Sequence, residues 1–260
     1  MCTPFRSVLS IWVIVHGAAL AQAQPSAEAE GLQLFAKGRY QQAAPLLAAA
    51  SAASPDRPEL ARALGLCYLR LQNTEGARAA CARLFGVPAE SAAARLLNAK
   101  MMLGEQLEEL AEPELHAAVR LNPKLPEAHF MLGELAIFRG NNDAGIAELR
   151  EEIALNPAFG MAYYRLGDAY TRKNMWTEAV APLEKAIWLN PDFSSPYILL
   201  GKAYYHTDRL EFAAGMLKQA VRMDPNNAGA HYLLASVYRG LGKHDDARKE
   251  LDLWRSASQK

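Results

Sequence analysis

An all-α solenoid of stacked helical hairpins is the fold class that the sequence predicts, and three observations carry it. The first is a period. Windows of 34 residues beginning at residues 24, 58, 92, 126, 160, 194 and 228 tile the chain without insertion or deletion. The second is that small residues recur in phase. The eighth residue of each window is Gly31, Gly65, Ala99, Gly133, Gly167, Gly201 or Ala235, and the twentieth is Ala43, Ala77, Ala111, Gly145, Ala179, Ala213 or Ala247. The third is proline at the thirty-second place of five windows (Pro55, Pro123, Pro157, Pro191 and Pro225), with Pro88 one place early in the second.

Each element follows from these positions. Tyr163, Leu166 and Tyr170, spaced by three and four, share one face of a first helix. A break falls near Arg172-Lys173-Asn174, and a second helix runs from about Thr177 to Leu189, where Asn190-Pro191 stops it. Small residues at the eighth and twentieth places let the two helices approach. Larger ones at the seventh, eleventh and twenty-fourth places fill the remaining space, the last being Leu47, Cys81, Leu115, Leu149, Leu183, Leu217 and Leu251. One hairpin cannot bury both of its faces, so the hairpins must stack. Ile146, Val180 and Ala214, with Ile153, Ile187 and Val221, are placed to pack on the following hairpin. In the last window Arg248 and Arg255 replace them, so residues 243–260 read as a solvent-facing end.

Composition narrows the function. The chain carries 28 basic and 28 acidic side chains, which excludes an electrostatic grip on nucleic acid or on anionic membrane as its main activity. Arg6, the apolar run from Val8 to Leu20 and the triplet Ala21-Gln22-Ala23 form the pattern of a secretory signal peptide covering 1–23. The run is too short for an anchor, because its 13 residues reach only about 20 Å. The expectation is an exported chain, periplasmic or secreted, with no stable membrane anchor. Cleavage would leave Cys67 and Cys81, on the two helices of one hairpin. An oxidising compartment opens a disulfide to them, while two small, buried, free thiols are the favoured reading.

The repeat resembles the tetratricopeptide repeat, whose pattern runs W-x2-L-G-x2-Y, then A-x3-F, then P. The best matches are Tyr163-x2-Leu166-Gly167-x2-Tyr170 with Ala179, Leu183 and Pro191, and Tyr197-x2-Leu200-Gly201-x2-Tyr204 with Ala213, Leu217 and Pro225. The resemblance implies a right-handed solenoid of about seven repeats, three degenerate ones over 24–125 and four well matched over 126–260, the last serving as a cap. Departures are Glu30 for leucine, Arg95 and Asn98 at core-facing places, and Glu152 where a small residue is expected. Pro45, Pro113 and Pro182 lie early in second helices.

No nucleotide loop, nucleophile elbow, H-E-x-x-H or C-x-x-C is present, so neither catalysis nor a metal or other cofactor is expected. His129 and His231 occupy the fourth place, an aromatic position in the family, and read as packing residues. The acidic neighbours Glu108-Glu109, Glu151-Glu152 and Asp245-Asp246 read as solvated faces. What remains is a binding surface. In the family, the fifth, ninth, twelfth and thirteenth residues of first helices face a concave groove. Carried over, these are Phe130, Glu134, Ile137 and Phe138; Tyr164, Asp168, Thr171 and Arg172; Ile198, Lys202, Tyr205 and His206; and Tyr232, Ser236 and Arg239. Aromatics and arginine are the residue types that anchor partners. The Lys and Asn pair with which some family members grip a chaperone's C-terminal carboxylate is absent from the fifth and ninth places. The resemblance thus implies a non-enzymatic scaffold that takes a peptide or helix of a protein partner along the groove. An assembly factor for an envelope complex, and a small-ligand or enzymatic site inside the superhelix, are the alternatives. The sequence leaves homo-oligomerisation open.

Overall fold

In the computed structural model the described residues are 26–258, so the expected signal segment lies outside them. Among the described residues fourteen helices form seven antiparallel hairpins: α1 (Ala27–Ala36) with α2 (Tyr40–Ala53), α3 (Pro58–Arg70) with α4 (Thr74–Phe85), and α5 (Ala92–Gly104) with α6 (Glu108–Leu121). Then follow α7 (Ala128–Phe138) with α8 (Asn142–Leu155), α9 (Gly160–Arg172) with α10 (Trp176–Leu189), α11 (Ser194–His206) with α12 (Leu210–Met223), and α13 (Ala228–Gly240) with α14 (His244–Ala257). They stack in chain order as a right-handed α-solenoid. First helices of neighbouring hairpins also touch one another (α1 with α3, α7 with α9, α9 with α11, α11 with α13), which places them on the inner side of the curve.

The small residues sit where the hairpins close. A Cβ on Gly167 would stand 2.5 Å from Leu183, and one on Gly201 2.6 Å from Leu217, so the eighth place receives the twenty-fourth. Leu47, Leu115, Leu149, Leu183 and Leu217 are all fully buried. Each contributes about 1.5–3 kcal/mol of burial. In the second hairpin Cys81 is shorter than leucine, and Met101 of α5 reaches in to meet Gly65 instead.

Every hairpin turns in the same way. The fifteenth residue of each window adopts a left-handed conformation: Gly38, Gln72, Gln106, Gly140, Asn174, Asp208 and Gly242 all have φ between 57° and 80°. The sixteenth residue's N–H then donates to the eleventh residue's carbonyl, as Met175 does to Tyr170 (2.9 Å) and Lys243 to Tyr238 (2.9 Å). That is the 6→1 bond of a Schellman ending. Pro45, Pro113 and Pro182 lie inside α2, α6 and α10 without ending them.

Two junctions depart from the pattern. The linkers 86–91 and 122–127 are two residues longer than those at 54–57, 156–159, 190–193 and 224–227, and they hold the extra positive-φ residues Gly86 and Glu127. At the first, Arg78 of α4 contacts Glu114 of α6 (3.2 Å) and Glu90 (3.3 Å), and Arg95 of α5 pairs with the same Glu114 (3.1 Å). Buried Asn98 donates to the Thr74 carbonyl at 3.3 Å. Arg95 and Asn98 therefore face the core as polar partners. At the second, the fully buried Glu152 of α8 accepts from the backbone N–H groups of Glu127 (3.0 Å) and Phe130 (3.3 Å), so its carboxylate caps α7.

Cys67 and Cys81 are free and buried, not bridged. Cys67 packs with Ala43, Ala44 and Leu47 of the first hairpin, whereas the Cys81 sulfur lies 3.9 Å from the Met101 sulfur of the third. The two thiols serve opposite faces of their hairpin. Burial raises both to a pKa of about 11.

Candidate groove on the first helices

A cavity of about 370 Å³ opens on the inner face between α5, α7 and α9. It brings together Glu134, Ile137, Phe138, Asp168 and Arg172 from the expected set, and adds Leu103, Glu108, Met131 and Arg165, which the positional rule missed. Phe138 stands on it 77% exposed, although a large aromatic side chain ordinarily finds cover. Two ion pairs line the site. Arg165 Nε is 2.6 Å from Glu134 Oε1, joining α9 to α7, and Arg172 Nε is 3.1 Å from Asp168 Oδ2 within α9.

Other expected residues divide by role. Phe130 meets Phe159 edge-on at 4.8 Å and Tyr164 meets Phe193 at 4.9 Å, so both rings are partly engaged in framework packing. Ile198 is half-buried against the core of hairpins four to seven. Thr171 departs from expectation: it is buried, and its hydroxyl donates to the Asp168 carbonyl at 2.8 Å, away from any groove ligand. Ile137 is buried as well and reaches the cavity only as part of its floor.

Further along, His206 stacks on Trp176 with ring centroids 4.0 Å apart and planes 12° from parallel, while Tyr205 meets His206 edge-on at 5.4 Å. Lys202 lies 5.4 Å from the centroid of the same Trp176 ring. Partial desolvation, then the Lys202 charge, lowers the His206 pKa below the ordinary imidazole value. Trp176 is the first residue of α10, a place at which the other second helices carry Tyr40, Thr74, Glu108, Asn142, Leu210 and His244. No periodic signal marks it. Tyr232 is exposed with its ring 5.5 Å from Trp254, and Arg239 donates to Ser236 at 3.1 Å.

Among the described residues, no group of three or more His, Cys, Asp or Glu side chains is arranged to hold a metal ion. No helix there is long and apolar enough to cross a membrane.

Comparison with known proteins bears on the repeat. A family model described as tetratricopeptide repeat matches residues 34–101 and 209–260, and one described as TPR repeat matches 167–208. Residues 102–166 between them contain the two buried carboxylates Glu114 and Glu152. No curated protein matches the sequence. Similar solved structures include MamA 41-end from Desulfovibrio magneticus RS-1, with 22% identity over 65% of this chain and 95% of that one at a TM-score of 0.60. YrrB, described as a TPR protein with an unusual peptide-binding site, is 18% identical over 66% of this chain and 88% of its own, at 0.61. Pseudomonas aeruginosa PilF is 20% identical over 77% and 91%, also at 0.61. With the 34-residue period, the fourteen helices and these matches in agreement, the chain belongs to the tetratricopeptide repeat family.

Proposed function

We propose that this chain is a non-enzymatic protein-interaction scaffold that buries an extended peptide or a helix of a partner along the face of its first helices. The observation that carries the reading is the cavity between α5, α7 and α9, whose lining mixes Leu103, Met131, Leu135 and the exposed Phe138 with the ion-paired Glu134, Arg165, Asp168 and Arg172. An exposed aromatic beside a preformed hollow is the arrangement that anchors a partner side chain. YrrB, of the same fold, is described as having a peptide-binding site, which supports this use of the surface. The Ala21-Gln22-Ala23 pattern supports export, with the mature chain beginning at Gln24.

The test uses two exposed residues whose replacement leaves the core intact. Partners are captured from the source organism's envelope fraction by the native chain and by Phe138→Asp with Arg172→Glu. The variant is expected to keep its helical circular dichroism and to lose the partner by at least about tenfold. A partner retained in full by the variant overturns the groove assignment. Cell fractionation with N-terminal sequencing checks both points: a chain found only in the cytoplasm overturns export, and an exported chain still starting at Met1 overturns cleavage after Ala23.

A further inference from the structure

We infer that the groove reads an acidic segment of its partner, held over α11 and α13, about three to six residues from an apolar side chain seated in the cavity. The inference rests on the groove reading above and adds the chemistry of the ligand. Charge along the inner face is not uniform. At the cavity, Glu134 is neutralised by Arg165 and Asp168 by Arg172. Farther along, α11 (SSPYILLGKAYYH) and α13 (AGAHYLLASVYRG) contain neither aspartate nor glutamate. They contribute Lys202 and Arg239, and among the described residues neither has a carboxylate partner. Lys202 contacts the Trp176 ring and Arg239 contacts Ser236.

Lys202 is half-buried, so part of its hydration is already lost without a counter-charge to offset it. A carboxylate arriving from a ligand meets a cation that is partly desolvated and held in place against an aromatic ring. Both features raise the worth of the contact above that of a freely hydrated surface pair. On the same two helices the half-buried Tyr205 and the exposed Tyr232 offer rings over which an extended backbone can lie. A basic segment would meet repulsion here instead, which gives discrimination as well as attraction. The spacing follows from geometry. Neighbouring packed helices lie about 10 Å apart, so from the α9 wall of the cavity α11 is about 10 Å away and α13 about 20 Å. An extended chain covers these in about three and about six residues at ~3.3 Å each.

The test is a selection from a random peptide library displayed on phage, with the full chain as bait. Enriched peptides are expected to carry an apolar residue and Asp or Glu about three to six residues apart. With Lys202→Glu and Arg239→Glu as bait, the enriched charges should reverse to Lys and Arg, and a native-selected peptide should bind at least about tenfold more weakly by fluorescence anisotropy. Two outcomes overturn the inference while leaving the groove reading intact. One is enriched peptides that Phe138→Asp abolishes but that show no acidic preference; the other is heparin displacing the peptide as well as the unlabelled peptide does. Failure of enrichment, or binding indifferent to Phe138→Asp, overturns both.

Discussion

Nδ1 of His231 lies 2.6 Å from Oε2 of Glu250, tying the start of α13 to the middle of α14 from a site where the histidine is 4% exposed. The other ring nitrogen is 3.1 Å from the Pro225 carbonyl of the preceding hairpin. The same offset of 19 residues joins His129 to Glu148 (2.7 Å) and Arg95 to Glu114 (3.1 Å). In the sixth hairpin Tyr197 makes the carbonyl contact alone, donating to Pro191 at 3.0 Å, with the apolar Met216 in the glutamate's place. The fourth and twenty-third places thus change together, as a hydrogen-bonded polar pair or as an apolar one.

This coupling predicts a mutant cycle. Glu250→Ala leaves a buried ring nitrogen without its acceptor and should cost about 1–3 kcal/mol. Combining His231→Tyr with Glu250→Met reproduces the sixth hairpin and should recover most of the loss. Urea unfolding followed by circular dichroism measures both variants. A double variant no more stable than Glu250→Ala alone refutes the coupling.

Glu152 yields a prediction opposite to the one the repeat suggests. Ala50, Ala118, Ala186 and Ala220 hold the equivalent place in other windows, so Glu152→Ala resembles a restoration of the pattern. The structure predicts destabilisation by roughly 2–4 kcal/mol, because two backbone N–H groups at the start of α7 lose their buried acceptor. Hydrogen exchange should show faster exchange at the amides of Glu127 and Phe130. Unchanged exchange there would remove the capping role.

At the hairpin turns, Gln72 and Gln106 pay for positive φ that glycine adopts freely. Left-handed backbone costs a non-glycine residue about 1–2 kcal/mol, of which glycine's extra unfolded-state entropy cancels part. Gln106→Gly should therefore raise stability by up to about 1 kcal/mol, and Gly242→Gln should lower it comparably. Thermal unfolding of the two variants reads the signs directly, and a fall for the first would contradict the turn argument.

The buried thiols set a pH dependence. Burial raises Cys67 and Cys81 from the ordinary 9.0 to about 11, so the folded chain retains thiol protons that the unfolded chain releases. Their contribution is complete below pH 9 and is lost as pH rises towards 11. Cys67→Ser with Cys81→Ser should flatten the decline in that window. Both thiols should resist Ellman's reagent at about pH 8 until the chain unfolds, and immediate labelling of the native protein would place them at the surface.

Most of the architecture is legible in the amino-acid order because hairpin contacts recur at a constant offset. The eighth place receives the twenty-fourth, the fifteenth turns left-handed, and proline follows the second helix, so repeated windows expose these rules by superposition. The 19-residue pairs are legible too when the fourth and twenty-third places are compared together; one at a time, Arg95 reads as a departure and His231 as mere packing. Tertiary structure alone decided the rest. The cavity collects side chains from three hairpins, and its existence depends on how the stack curves and which rotamers it leaves room for. Thr171 and Phe138 hold adjacent groove positions in the repeat, yet one is buried and the other stands in solvent. Periodicity reports which face of a helix turns inward, whereas burial at the edge of that face is set by the neighbouring hairpin.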